Sequence, residues 1–153
     1  MSSPPSKWTA RFLQLAQLVA SWSKDPTTQV GAVATNTTNH ILETGYNGPP
    51  RGVEDLEARF QRPAKYLWTT HAEANLVAAA AASRLQGSTV YVTHLCCAQC
   101  AALLINAKVA KVVCGSGLTS MAPEQFEVAL RMFEEAGVEL VLAEPIMTSS
   151  TEL

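Results

Sequence analysis

Two short stretches carry the side chains that could do chemistry: His71-Ala72-Glu73 and Cys96-Cys97-Ala98-Gln99-Cys100. Cys97 and Cys100, three apart, fall on one face of the first turn of a helix. A helix N-terminus also favours the thiolate that a metal needs. His71 adds a nitrogen. Two sulfurs and a nitrogen are donors zinc prefers, and three protein ligands leave one tetrahedral corner for water. Glu73, two residues beyond His71, could face that water without binding the metal. The expectation is one Zn2+ held by His71, Cys97 and Cys100, with Glu73 as the catalytic proton carrier.

These residues need two helix starts brought side by side. His71 is expected to open an Ala-rich helix over 71–83, and Cys97 a helix over 97–107. Around them the sequence predicts a first helix over 7–23, capped by Ser6, with Trp8, Phe12, Leu15, Val19 and Trp22 at helical spacing. Strands are expected over 29–35 and 40–46 as a hairpin, then over 89–93, 109–114 and 138–143. Residues 47–62 read as a Gly/Pro-rich functional loop with a short helical turn at 54–60, and residues 115–122 as a second loop. Pro123 suits the first position of a helix reaching Ala136, and Gly137 ends it. Residues 1–6 read as a loose arm and 144–153 as a polar tail of a single domain spanning 1–153. The order α-β-β-α-β-α-β-α-β predicts an α/β fold: a mixed five-stranded sheet with helices on both faces.

Composition bounds the partners. With 48% hydrophobic and 16% charged residues, the chain is expected to be a compact folded protein. A formal net charge of -2 argues against a nucleic-acid polymer as partner. The longest apolar run, 76–82, is too short to span a bilayer, so no membrane association is expected. The N-terminus lacks a basic stretch followed by an apolar one, so no signal peptide is expected. Cys96, Cys97, Cys100 and Cys114 read as metal ligands and spare thiols in a reducing, cytoplasmic setting rather than as a disulfide framework.

Competing readings remain open at this point. Zinc could be closed and structural if Cys96, Cys114, His94 or His40 supplied a fourth ligand. Cys96 and Cys114 otherwise read as small buried hydrophobes, and His94 as a strand-end residue with a satisfied hydrogen bond. A reading from another class is a zinc-stabilised module that binds nucleotides without chemistry.

The histidine motif followed by Cys-x-x-Cys matches the signature of zinc nucleobase deaminases. Within them, the chain resembles the deoxycytidylate (dCMP) deaminases of the cytidine deaminase superfamily. The resemblance runs from about Trp8 to Leu140. It includes Ser23-Lys24-Asp25-Pro26, Gln29-Val30-Gly31-Ala32-Val33, Gly45-Tyr46-Asn47-Gly48-Pro49-Pro50-Arg51-Gly52, Lys65-Tyr66 and Ala136-Gly137-Val138. It implies the three-layer α-β-α cytidine deaminase-like fold and hydrolysis of dCMP to dUMP and ammonia, feeding thymidylate synthesis. It also implies a homo-oligomer, commonly a hexamer, activated by dCTP and inhibited by dTTP. The alternatives among enzymes are a deaminase of 5-methyl-dCMP or of a free cytosine nucleoside. Two departures stand out: Cys96 replaces the proline usual before the second motif, and 115–121 lacks an aromatic residue often found near the substrate.

Substrate contacts are expected from Asn47, whose other reading is a turn residue before Gly48, and from Lys24 or Arg51 at the 5′-phosphate. Arg59, Arg62 and Lys65 are expected at the phosphates of a regulatory nucleotide.

Overall fold

The computed structural model of the chain describes residues 6–143. Helix α1 spans Lys7–Ala20 and starts where expected, because the Ser6 hydroxyl accepts from the Thr9 amide at 3.2 Å. Strands β1 (Gly31–Thr35) and β2 (Ile41–Tyr46) form the antiparallel hairpin. A 3-10 turn at Glu57–Phe60 and a one-turn helix α2, Lys65–Trp68, follow. Then come α3 (Ala72–Ala80), the one-turn α4 (Ala82–Leu85) and β3 (Thr89–His94). The chain continues through α5 (Ala98–Asn106), β4 (Lys111–Gly117), α6 (Pro123–Ala136) and β5 (Glu139–Leu142). The arm expected over 1–6, apart from Ser6, and the tail expected over 144–153 lie outside the described residues.

The five strands form one sheet in the order β2-β1-β3-β4-β5. β1 runs antiparallel to both neighbours, while β3, β4 and β5 are parallel. Strand alternation separates two cores. Val33, Tyr91 and Val113 point to the face covered by α1, where they meet Phe12, Ala16 and Val19. Ala32, Ala34, Val90, Val92 and Val112 point to the other face, against Leu76 of α3, Leu104 of α5 and Phe133 of α6. The three-layer architecture expected from the sequence is the one observed. Among the described residues, no helix is long and apolar enough to cross a membrane.

Two glycines let the helices lie close to the sheet. A Cβ on Gly31 would sit 2.0 Å from the Ala16 carbonyl oxygen of α1. One on Gly45 would sit 2.5 Å from the Ala72 carbonyl oxygen of α3. The second close approach matters for function, because α3 carries the His71-Ala72-Glu73 motif at its start.

Helix α1 ends at Ala20 where Ser23 was expected, and β1 starts at Gly31 where Gln29 was expected; the larger departures are three. The Ala-rich helix predicted over 71–83 breaks at Ala81, whose φ is 61°. Propensity favours continuation, but Leu85 in α4 is fully buried, and tertiary packing overrides propensity. Strand β4 runs on to Gly117, where a loop from 115 was expected. It does so through an irregularity that pairs Val92 with Cys114 but His94 with Gly117, a bulge with one extra residue on β4. Helix α2 lies in a stretch without helical periodicity, so nothing in the pattern announced it.

Candidate active site

The C-terminal ends of β2 and β3 deliver the chain to one end of the sheet. From Tyr46 the loop returns to α3 through a small bridge, in which Gly48 and Thr70 exchange backbone hydrogen bonds of 3.1 and 2.8 Å. Asn75 of α3 donates to the Tyr46 carbonyl at 2.8 Å and holds the helix start against the strand end. His71 is the extended residue just before α3, and Cys97 the equivalent residue before α5. The Gln125 side chain of α6 accepts from the Ala98 amide at 3.2 Å and satisfies one free donor at the start of α5. The two motifs therefore sit side by side because two helices begin side by side.

His71 Nδ1 lies 3.4 Å from Cys97 Sγ and 3.3 Å from Cys100 Sγ. The three ligand atoms all fall within 4.8 Å of one another. Standard Zn–N and Zn–S bonds at tetrahedral angles separate nitrogen and sulfur by about 3.5 Å, so this donor set fits a zinc ion. Neither Cys96, Cys114, His94 nor His40 belongs to the group, which leaves three protein ligands among the described residues. Cys96 and Cys114 are buried in the core, as the hydrophobe reading expected.

Among the three ligands, the electrostatics favour deprotonation of Cys97. The Cys97 thiol is pushed down to about 4, first by the hydrogen bond it takes from Cys100 and, against burial, by His71 and the Cys100 amide. Cys100 is pushed up, chiefly by the same shared proton and then by burial. The His71 imidazole is raised, first by its hydrogen bond with Cys97. Glu73 is almost fully buried, and burial raises its carboxyl above the ordinary range, partly opposed by its own backbone amide at the helix start and by His71.

His71, Glu73 and Cys97 line a cavity of about 410 Å³. Its far wall is the turn 25–28 together with Asn47. The buried Asp25 accepts at Oδ1 from the Thr27 and Thr28 amides at 2.9 and 3.0 Å. Its Oδ2 pairs with Lys65 Nζ at 3.2 Å, and Lys65 also donates to Thr27 Oγ1 at 3.1 Å. Asn47 accepts from the Val30 amide at 2.8 Å and donates to the Thr28 carbonyl at 2.9 Å. Both polar ends of its amide therefore brace the wall, even though the residue lines the cavity.

The basic residues are distributed differently from expectation. Lys24 pairs with Asp55 at 2.6 Å with its side chain 69% exposed, and neither it nor Arg51 lines the cavity. Arg59 stacks on Trp68, 3.9 Å from guanidinium carbon to ring centroid, and also lies outside. Arg62 and Lys65, expected at an effector, both line the cavity. Arg62 donates to Ser120 Oγ at 3.1 Å across the opening. Sequence reasoning missed Thr69 and Thr119, whose buried hydroxyls have no partner among the described residues, and it considered His94 only as a fourth zinc ligand or a strand-end residue with a satisfied hydrogen bond. No spacing rule finds such residues, because they come from separate loops.

A mixed sheet carrying His-x-Glu and Cys-x-x-Cys at two adjacent helix starts, with a buried carboxylate beside three convergent ligands, is the layout of the zinc-dependent nucleobase deaminases. Residues 6–116 match the family described as the cytidine and deoxycytidylate deaminase zinc-binding region. An uncharacterized deaminase of Aliivibrio fischeri is 46% identical over 138 residues, covering 88% of this chain and 92% of that one. The deoxycytidylate deaminase of Homo sapiens is 35% identical over 138 residues, covering 86% of this chain and 77% of the human one. The fold is shared with a dCMP deaminase of the cyanophage S-TIM5, crystallised with dCMP and dUMP, at a TM-score of 0.73 and 24% identity over 92% of this chain and all of that one. The chain belongs to the cytidine and deoxycytidylate deaminase family.

Proposed function

We propose that the protein hydrolyses dCMP to dUMP and ammonia, with one zinc ion on His71 Nδ1, Cys97 and Cys100. The observation that carries this reading is the convergence of those three ligands, two of which, His71 and Cys97, line one cavity with the buried Glu73 and the Arg62 cation. Zinc, when bound, makes water a competent nucleophile at neutral pH. Glu73 takes the proton of the attacking water and passes it to N3 of cytosine, then takes the second proton from the new C4 hydroxyl and delivers it to the amine leaving C4. Water oxygen thus replaces the amine on C4, and ammonia departs. Burial suits Glu73 to this shuttle, because a carboxylate held in an apolar setting readily accepts a proton.

In this reading Arg62, supported by Ser120, takes the 5′-phosphate in place of Lys24 and Arg51, which lie outside the cavity. Asn47 and the Asp25–Lys65 pair shape the wall against which the sugar rests. The proposal extends to a homo-oligomer responsive to dCTP and dTTP. The apolar surface beside the cavity, where Tyr66, Trp68 and Leu118 are exposed and Leu67 is 90% exposed, supports the assembly, while the response to dCTP and dTTP rests on the family resemblance alone.

The test is ammonia release by the zinc-loaded protein from dCMP, 5-methyl-dCMP, CMP, dCTP, deoxycytidine and dAMP. Fastest turnover of dCMP is expected. Equal turnover of deoxycytidine would replace the nucleotide reading with a nucleoside one, and no release from any cytosine compound would leave a binding module. Rates against dCMP with and without dCTP and dTTP test regulation, and light scattering tests assembly.

A further inference from the structure

We propose that His94 is a substrate-binding residue, a neutral imidazole that presents its Nε2–H to an acceptor oxygen of the bound nucleotide. The inference deepens the nucleotide reading above and rests on it.

Three observations carry it. First, the tautomer follows from hydrogen-bond accounting. Thr93 Oγ1 accepts from the Gly31 amide at 3.1 Å and lies 2.7 Å from His94 Nδ1. Thr93 is buried, and its hydroxyl proton has no other acceptor among the described residues. Were Nδ1 the donor, that proton would be left without an acceptor in the interior, which folded proteins avoid. The hydroxyl therefore donates to Nδ1, and the ring proton sits on Nε2.

Second, the ring is held in place. Its Cγ, Nδ1 and Cδ2 atoms pack so closely over Gly117 that a Cβ there would lie 2.7 Å from each. The β4 bulge brings Gly117 opposite His94 in place of a residue with a side chain. Glycine is needed at 117 for the ring's room, not for backbone freedom.

Third, Nε2 is open. His94 lines the cavity that holds His71, Glu73, Cys97 and Arg62. Nε2 has no protein partner among the described residues, and it is not one of the buried polar atoms lacking a partner. The ring also borders a second cavity, formed with Gln17, Gln29 and Ser116, and an accessible, unpaired donor on a half-buried ring that lines the first is available to the ligand. Burial also lowers the pKa of His94, which keeps the ring neutral and its single remaining proton on Nε2.

An oriented donor of this kind serves positioning and specificity, since a ligand lacking the acceptor leaves the N–H unpaired. The acceptor is an oxygen of the phosphate or of the nucleoside, and dCMP against deoxycytidine separates the two.

The experiment uses the zinc-loaded full chain. Long-range proton–nitrogen NMR of the three histidines, assigned by His40→Gln and His94→Gln, is expected to show His94 as the Nε2–H tautomer. Its Nε2 signal should move on saturation with dUMP. His94→Phe, which keeps a ring and loses the donor, should raise KM for dCMP about 5- to 30-fold with little change in kcat and with zinc retained, while the melting temperature falls by roughly 2–12 °C because the Thr93 hydroxyl loses its acceptor. An effect equal for dCMP and deoxycytidine assigns the nucleoside oxygen; an effect on dCMP alone assigns the phosphate. An Nδ1–H tautomer, an Nε2 signal unmoved by saturating dUMP, or an unchanged KM for both substrates in His94→Phe would overturn the proposal. Failure of the parent protein to deaminate dCMP would instead overturn the function proposed above, and the tautomer would still be read.

Discussion

Lys65 and Asp25 form an ion pair with side chains only 7% and 2% exposed, and Lys65→Met tests what it does. Removing one partner of a buried pair costs about 3–5 kcal/mol, because the other charge stays buried alone. Here Asp25 keeps the two backbone amides of Thr27 and Thr28, which places the cost near the lower end, about 3 kcal/mol. For a domain of this size each kcal/mol lowers the melting temperature by roughly 2–4 °C, so a fall of about 6–12 °C is expected. Chemical denaturation of zinc-loaded parent, Lys65→Met, Asp25→Asn and the double variant measures the coupling directly. The double variant should recover much of the loss, since the neutral amide still accepts from both backbone donors.

The pH dependence has a defined sign. Burial alone would raise the Asp25 carboxyl, but hydrogen bonds from the Thr28 and Thr27 amides, then Lys65, together hold it below the ordinary value. Across the window between the two values the unfolded state binds more protons. The contribution of Asp25 is therefore complete above about pH 4 and is lost as pH falls through the folded value. The gap between parent and Lys65→Met should narrow over the same acid range. A Lys65→Met loss within about 1 kcal/mol of the parent, far below the cost of a stranded buried charge, would refute the reasoning. So would losses that simply add in the double variant.

Arg62→Ala should raise KM for dCMP about 10- to 30-fold and leave deoxycytidine untouched, because a hydrogen bond from a solvent-exposed arginine to a phosphate is worth about 1.5–2 kcal/mol; steady-state kinetics on both substrates decide. Glu73→Gln should retain zinc by metal analysis and lose at least about 10²–10⁴-fold in kcat, the range for a single general acid-base group. Gly45→Ala forces α3 away from β2 and should cost about 1–3 kcal/mol, with weaker zinc retention against a chelator because His71 moves with the helix. Cys96→Pro should keep zinc and activity, since the Cys96 thiol lies outside the ligand group and its amide makes no hydrogen bond among the described residues.

The sequence alone determined what depends on local chemistry and short spacing. Ser6, Pro123 and Gly137 mark helix ends because caps act within one turn. His71 and Cys97 stand at helix starts, and the Cys97–Cys100 spacing sets the two sulfurs on one face whatever the rest of the chain does. Tertiary structure alone decided which cations reach the cavity. Residues 47–70 have no periodicity, so nothing local orders their side chains. The bridge between Gly48 and Thr70 and the burial of Lys65 against Asp25 fold that segment inward at Arg62, while Lys24 is drawn outward to Asp55. Likewise Asn47 is spent on Val30 and Thr28, and His94 acquires its orientation from Gly117, a partner supplied by another strand across a bulge. Contacts between residues far apart in the chain depend on how the layers pack, and packing is set by the whole core rather than by any one stretch.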